Sequence, residues 1–238
     1  MVNRFIVIAM LLSVSAWSHS SSILEFEGRA YDAKTDKFIY LEKHRVTLDS
    51  EGNYASSDVQ YVDEKGDVFA AKQVNYEFSR TAPSFSFHDY RNDTRVEVKN
   101  QQQRIKLISK NGAAEITKSL PVSEEKGLVV DAGFDRFIYE NWDRLLNQRD
   151  VSFAFLAISR AMFVNLDVSE TRRTEESVVY TVKPSNFFLS LLVEPIELTY
   201  SINSQRLVQF EGLTNIAKSE GGRVTDDNYV AVIRYQYF

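Results

Sequence analysis

Apolar and polar residues alternate with a period of two along most of the chain, which predicts a protein built of strands. Leu24, Phe26, Gly28 and Ala30 alternate with Glu25, Glu27 and Arg29, the pattern of a strand with one buried face. Further strands are expected at 37–48, 54–62 and 68–78, separated by the turn signals Glu51-Gly52-Asn53 and Glu64-Lys65-Gly66-Asp67. Shorter ones follow at 84–90, 94–99, 104–109 and 114–120. Asn111-Gly112 stands between the last two, and both residue types accept the positive φ of a type I′ hairpin turn. The period then changes. Phe134, Phe137, Ile138, Trp142 and Leu145 recur at three- and four-residue spacing, with Arg136, Glu140, Asp143 and Arg144 opposite. This predicts one amphipathic helix near residues 132–147, with Asp131 placed to cap it. Strand patterns resume at 151–158, 162–168, 177–182, 187–193, 196–202, 207–213 and 229–237. The expected fold is mainly β with one principal helix. It is an antiparallel curved sheet or partly closed barrel with the helix across its concave face, the simplest way to bury one face of every strand.

The first residues follow a different logic. Arg4 precedes the apolar run Phe5 to Leu12, and small residues end near Ala16-Trp17-Ser18. That is the pattern of a secretory signal peptide, expected to span residues 1–18 and leave residues 19–238 as a single β-rich domain. The run is too short to cross a bilayer, which takes roughly 20 apolar residues, so the protein is expected to be exported and not membrane-spanning. It would be periplasmic if the source is Gram-negative.

Composition narrows the picture further. No cysteine occurs, which excludes disulfides, thiolate metal ligands and a lipidated N-terminal cysteine, so the domain must be held by its core. The formal net charge is −5, and removal of the leader with its single charge, Arg4, makes the mature chain one unit more negative. Both signs are spread along the chain without a basic cluster, which argues against a nucleic-acid partner. No cofactor motif is present: a Gly-x-Ser-x-Gly elbow and a phosphate loop are both missing, and Glu220-Gly221-Gly222 reads as a turn.

The strand-rich first half, the amphipathic segment 134–146 and the ending Glu197-Leu198-Thr199-Tyr200, Leu207-Val208-Gln209-Phe210-Glu211-Gly212 and Val232-Ile233-Arg234-Tyr235 resemble uncharacterised exported bacterial β-rich proteins. Their layout is similar to the periplasmic lipoprotein-carrier (LolA-like) half-barrels. The resemblance implies an apolar cavity between sheet and helix that holds acyl chains.

The candidate chemistry is sparse. Of three histidines, His19 sits at the cleavage site and His44 lies between Lys43 and Arg45, where a solvated strand face is expected. His88, beside Asp89 and near Asp93, is the one placed for carboxylate-assisted chemistry, and a hydrolase using it is the enzymatic alternative. Nothing else in the chain asks for an enzyme. The segment 134–193 is the most apolar of the mature chain, and its aromatics are either core or the lining of a cavity for an apolar ligand. The residues expected to line such a cavity are Phe134, Phe137, Ile138, Trp142, Phe153, Phe155, Phe187 and Phe188. The apolar run 187–193 is also a surface on which an envelope protein could dock, in which case the chain is an interaction module. The C-terminal aromatics suggest an outer-membrane barrel, but the face carrying Phe238 also carries Gln236 and Arg234, unsuited to lipid.

Overall fold

A computed structural model describes residues 22–122, 127–147, 150–186 and 194–238. The leader assigned to residues 1–18 and the apolar run 187–193, with Phe187 and Phe188, lie outside the described residues.

The first half is a meander of eight strands: β1 (Ser22–Asp32), β2 (Phe38–Leu48), β3 (Tyr54–Val62), β4 (Val68–Asn75), β5 (Ser84–Asp89), β6 (Thr94–Asn100), β7 (Arg104–Asn111) and β8 (Ala114–Pro121). A two-residue strand, β9 (Leu128–Val129), leads into the helices α1 (Gly133–Glu140) and α2 (Trp142–Leu146). The second meander is β10 (Val151–Ala157), β11 (Met162–Arg173), β12 (Ser177–Pro184), β13 (Ile196–Ser201), β14 (Leu207–Glu220) and β15 (Arg223–Tyr237). All belong to one sheet, ordered from β8 down to β1, then β15 down to β9. Each pair is antiparallel except β9 with β10. The first and last strands therefore meet in the middle of the sheet, through pairs such as Gly28 with Tyr235 and Ala30 with Ile233. The sheet's edges are β8 and β9, on either side of the segment leading to the helices. Sheets much beyond about 10 strands curl, and a curled sheet this long must fill its concave side.

Three buried clusters do so. Phe137, Ile138, Trp142 and Leu145 of the helices pack on Phe153, Tyr180, Leu198 and Tyr200. Phe85, Val98, Ile105 and Leu107 meet Val130 and Leu156. Tyr40, Val59, Phe69, Ile216 and Ile233 fill the centre. The helix periodicity and most strand positions agree with the sequence pattern, but β9 is not expected from it, β11, β14 and β15 run beyond the bounds it gives, and three further details depart from it. The helix breaks at Asn141, whose side-chain amide donates to the Phe137 carbonyl at 2.9 Å and turns the chain into α2. The turn between β7 and β8 places Gly112 and Ala113, not Asn111 and Gly112, at its centre, since Asn111 pairs with Ala114. Of the two central residues only Gly112 has positive φ, at 57°, which suits a type II′ and not a type I′ turn. Finally, Asp131 does not cap α1. The cap position is Ala132, without a side-chain hydrogen bond, and the Asp131 carboxylate is used elsewhere.

The first turn of α1 is pinned to the first half of the sheet. Val130 donates its N–H to the Thr81 carbonyl at 2.9 Å. Gly133 lies so close to Thr81 that a Cβ there would sit 1.9 Å from the Thr81 carbonyl oxygen. The helix is thus tied by its start to the β4–β5 connection while its apolar face packs on β10–β13. Among the described residues, no helix is long and apolar enough to cross a membrane.

Candidate functional site

Between the two meanders, under the first turn of α1, lies an interior cavity of about 300 Å³. Its apolar walls come from both halves of the sheet, with Val46, Val59 and Val74 on one side and Phe155, Leu166, Val182, Leu198 and Phe210 on the other. It reaches solvent beside Leu213 and Asn215, which are exposed where β14 bulges away from β15.

A polar cluster sits on one wall, built by strand register. Directly opposed positions run Tyr235, Gly28, Glu42, Tyr61 across β15, β1, β2 and β3. The next row runs Tyr237, Phe26, His44, Val59, Lys72 and reaches β4. The ring of Tyr235 lies across Gly28, where a Cβ would come within 2.6 Å of it, and this brings the Tyr235 hydroxyl to Glu42. The Glu42 carboxylate accepts from that hydroxyl at 3.3 Å and pairs with His44 Nε2 at 3.0 Å. Phe26 stacks on one face of the imidazole, centroids 4.2 Å apart, and fixes the ring plane. Beyond them, Lys72 Nζ donates to Asp131 Oδ2 at 2.6 Å, and Asn215 Nδ2 donates to Asp131 Oδ1 at 2.7 Å. Burial works against the charged form of Lys72, but Asp131, the Tyr61 hydroxyl and Glu42 outweigh it and hold the ammonium well above the usual lysine range. Burial pushes the phenols of Tyr61, Tyr200 and Tyr235 far up, so they stay neutral, and that of Tyr235 donates to Glu42.

Asp131 supports this arrangement in a left-handed backbone conformation, φ 42°, which an aspartate tolerates better than most residues. Such a conformation costs about 1–3 kcal/mol and persists where surrounding contacts over-determine it, here the bonds to Lys72 and Asn215.

Of the residues expected to line a cavity, Phe134 and Phe155 do so. Phe137, Ile138, Trp142 and Phe153 are at most 5% exposed and belong to the core beneath the helices. His44, expected on a solvated face, points inward instead. The reason was available in the alternation: Tyr40, Glu42, His44 and Val46 share a face, and Tyr40 and Val46 are fully buried. Lys72 is in phase with Ala70 and Val74 in the same way. Asp131 carried no such signal, since it sits in a turn.

His88 lies on the opposite side of the sheet, in an outer groove of about 640 Å³ over β3–β8. Its imidazole pairs with Asp93 at 2.9 Å, and hydrogen bonds from Arg95, His88 and Lys110 hold that carboxylate down to about 2. The neighbouring Asp89 faces inward and is gripped by Arg91 through two bonds of 2.9 and 2.5 Å. The two carboxylates next to His88 in sequence are therefore both saturated by cations, and one is on the other face. Comparisons with protein-family models, curated proteins and solved structures find nothing that matches this chain.

Proposed function

We propose that this is an exported binding protein that encloses one medium-sized apolar or amphipathic molecule, such as a lipid or acyl chain, between sheet and helix. The observation that carries this reading is the interior cavity itself, apolar on both sides and polar on one wall. A volume near 300 Å³ lies at the lower end of ligand pockets, and is twice that of the ~150 Å³ engineered cavity that takes up benzene. By that ratio it suits a molecule of roughly a dozen heavy atoms, or the end of a longer chain. Export follows from the leader pattern at residues 1–18.

Native mass spectrometry of the mature protein from its own compartment, followed by organic extraction, tests the reading. A discrete added mass that extracts into solvent is expected. The variant Leu166→Trp, which fills the cavity from its half-buried wall, should lose that mass and keep a cooperative unfolding transition. A bare polypeptide that also fails to take up an apolar dye overturns it.

A further inference from the structure

We infer that the molecule held in this cavity carries a hydrogen-bond-donating head, a hydroxyl, amide or amine, docked on Glu42, and does not carry a free carboxylate. The inference rests on the binding reading above and names the ligand class for the same site. Three acids line the cavity, Glu42, Asp131 and Asp135, against Lys72 as the one lysine or arginine among the described lining residues. Lys72 is bound by Asp131 and stands in the field of Glu42 as well, so one ammonium already answers two carboxylates. Asp135 is answered from behind the wall by Arg136 at 2.9 Å, whose guanidinium stands over the rings of Tyr54 and Tyr139.

Glu42 is different. Both of its bonds, from His44 and Tyr235, end on Oε2, and Oε1 accepts none among the described residues. Its side chain is only 9% exposed, so that oxygen has little access to bulk water and a donor that reaches it through the cavity gains a charge-assisted bond. A ligand carboxylate placed there would face a like charge in a poorly solvated site with no free cation to offset it.

The test uses the full mature protein at neutral pH and displacement of the neutral dye N-phenylnaphthylamine by four probes of equal chain length: decylamine, decanol, decyl methyl ether and decanoate. Decanol and decylamine should displace the dye at concentrations about tenfold below those of the ether and the carboxylate. In Glu42→Gln the advantage of decylamine over decanoate should shrink to about threefold or less, since the fixed charge is gone. If that variant does not fold, the wild-type comparison of decanol with its ether decides the donor requirement alone. Decanoate binding as tightly as decanol, or the ether matching decanol, overturns the inference while leaving the binding reading in place. Failure of the dye and all four probes to bind overturns both.

Discussion

Tyr235 reaches Glu42 only because position 28 carries no side chain. The substitution Gly28→Ala would drive a methyl into the Tyr235 ring, which must swing away and release the carboxylate. A loss of about 1–3 kcal/mol is expected in urea denaturation, the usual cost of overpacking, with decanol affinity falling alongside it. An unchanged midpoint would mean the ring can settle elsewhere at no cost. The Lys72–Asp131 pair is nearly buried, its side chains 10% and 6% exposed, so removing one partner strands the other's charge. Lys72→Met should cost about 3–5 kcal/mol, whereas Lys72→Met combined with Asp131→Leu should recover most of it. A double variant as unstable as the single one would show that the left-handed turn at Asp131, and not its charge, is what Lys72 supports. At this scale the sequence was least readable. The inward rows of β2 and β4 were visible in the alternation, but a histidine or lysine in such a row looks like a solvated residue until the face it shares is known to be covered.

At the scale of the element, α1 touches both halves of the sheet, packing on β10–β13 and anchored to the β4–β5 connection. Its apolar face was legible, because Phe137 and Ile138 with Trp142 and Leu145 repeat at helical spacing and all are buried. Its anchorage was not legible, since Gly133 meets the Thr81 carbonyl across more than fifty residues of chain. Gly133→Ala cannot be absorbed by a side-chain rotation, because the obstacle is backbone. It should cost about 3 kcal/mol and abolish the hydrogen-exchange protection of the Val130 amide, which bonds to Thr81. Protection retained at Val130 would show that the loop moves with the helix. The second tie, from Asn215 on the bulge of β14 to Asp131, crosses the opening of the cavity. Asn215→Ala should change stability by less than about 1 kcal/mol, as exposed positions do, yet speed dye release severalfold in stopped-flow fluorescence. An unaltered release rate would place the ligand's exit elsewhere.

For the whole molecule, the interior is rich in tyrosine, and this dictates its response to base. Burial raises the phenols of Tyr40, Tyr54, Tyr61, Tyr76, Tyr180, Tyr200, Tyr235 and Tyr237, with Tyr54 and Tyr180 pushed up to about 12. A group whose proton is held more tightly in the native chain stabilises it below the unfolded pKa, about 10 for tyrosine, and that stability is lost as pH rises toward the folded value. The raised Lys72 acts in the same direction. The protein should therefore unfold cooperatively in alkali, with the buried phenols ionising in the same step as the loss of circular dichroism. Gradual ionisation of these phenols while the fold persists would show that water reaches the interior readily. The meeting of β1 and β15 at mid-sheet makes this cooperativity expected, since the cavity wall is assembled from both ends of the chain.

Among the described residues, local pattern by itself determined most of the strands and the site of the helical segment, and the lack of cysteine excluded thiol chemistry. It could do so because pleat and helix pitch impose their periods within a few residues. Which polar groups share the interior was decided only by tertiary structure. Glu42, His44, Lys72, Asp131 and Tyr235 come together from four segments, β2, β4, the turn before α1 and β15, through strand register and the Lys72–Asp131 bond, and two close approaches over Gly28 and Gly133 hold them there. A charge's cost or use depends on what lies across the cavity from it, and that neighbour is set by how the sheet curls, not by the residues beside it in the chain.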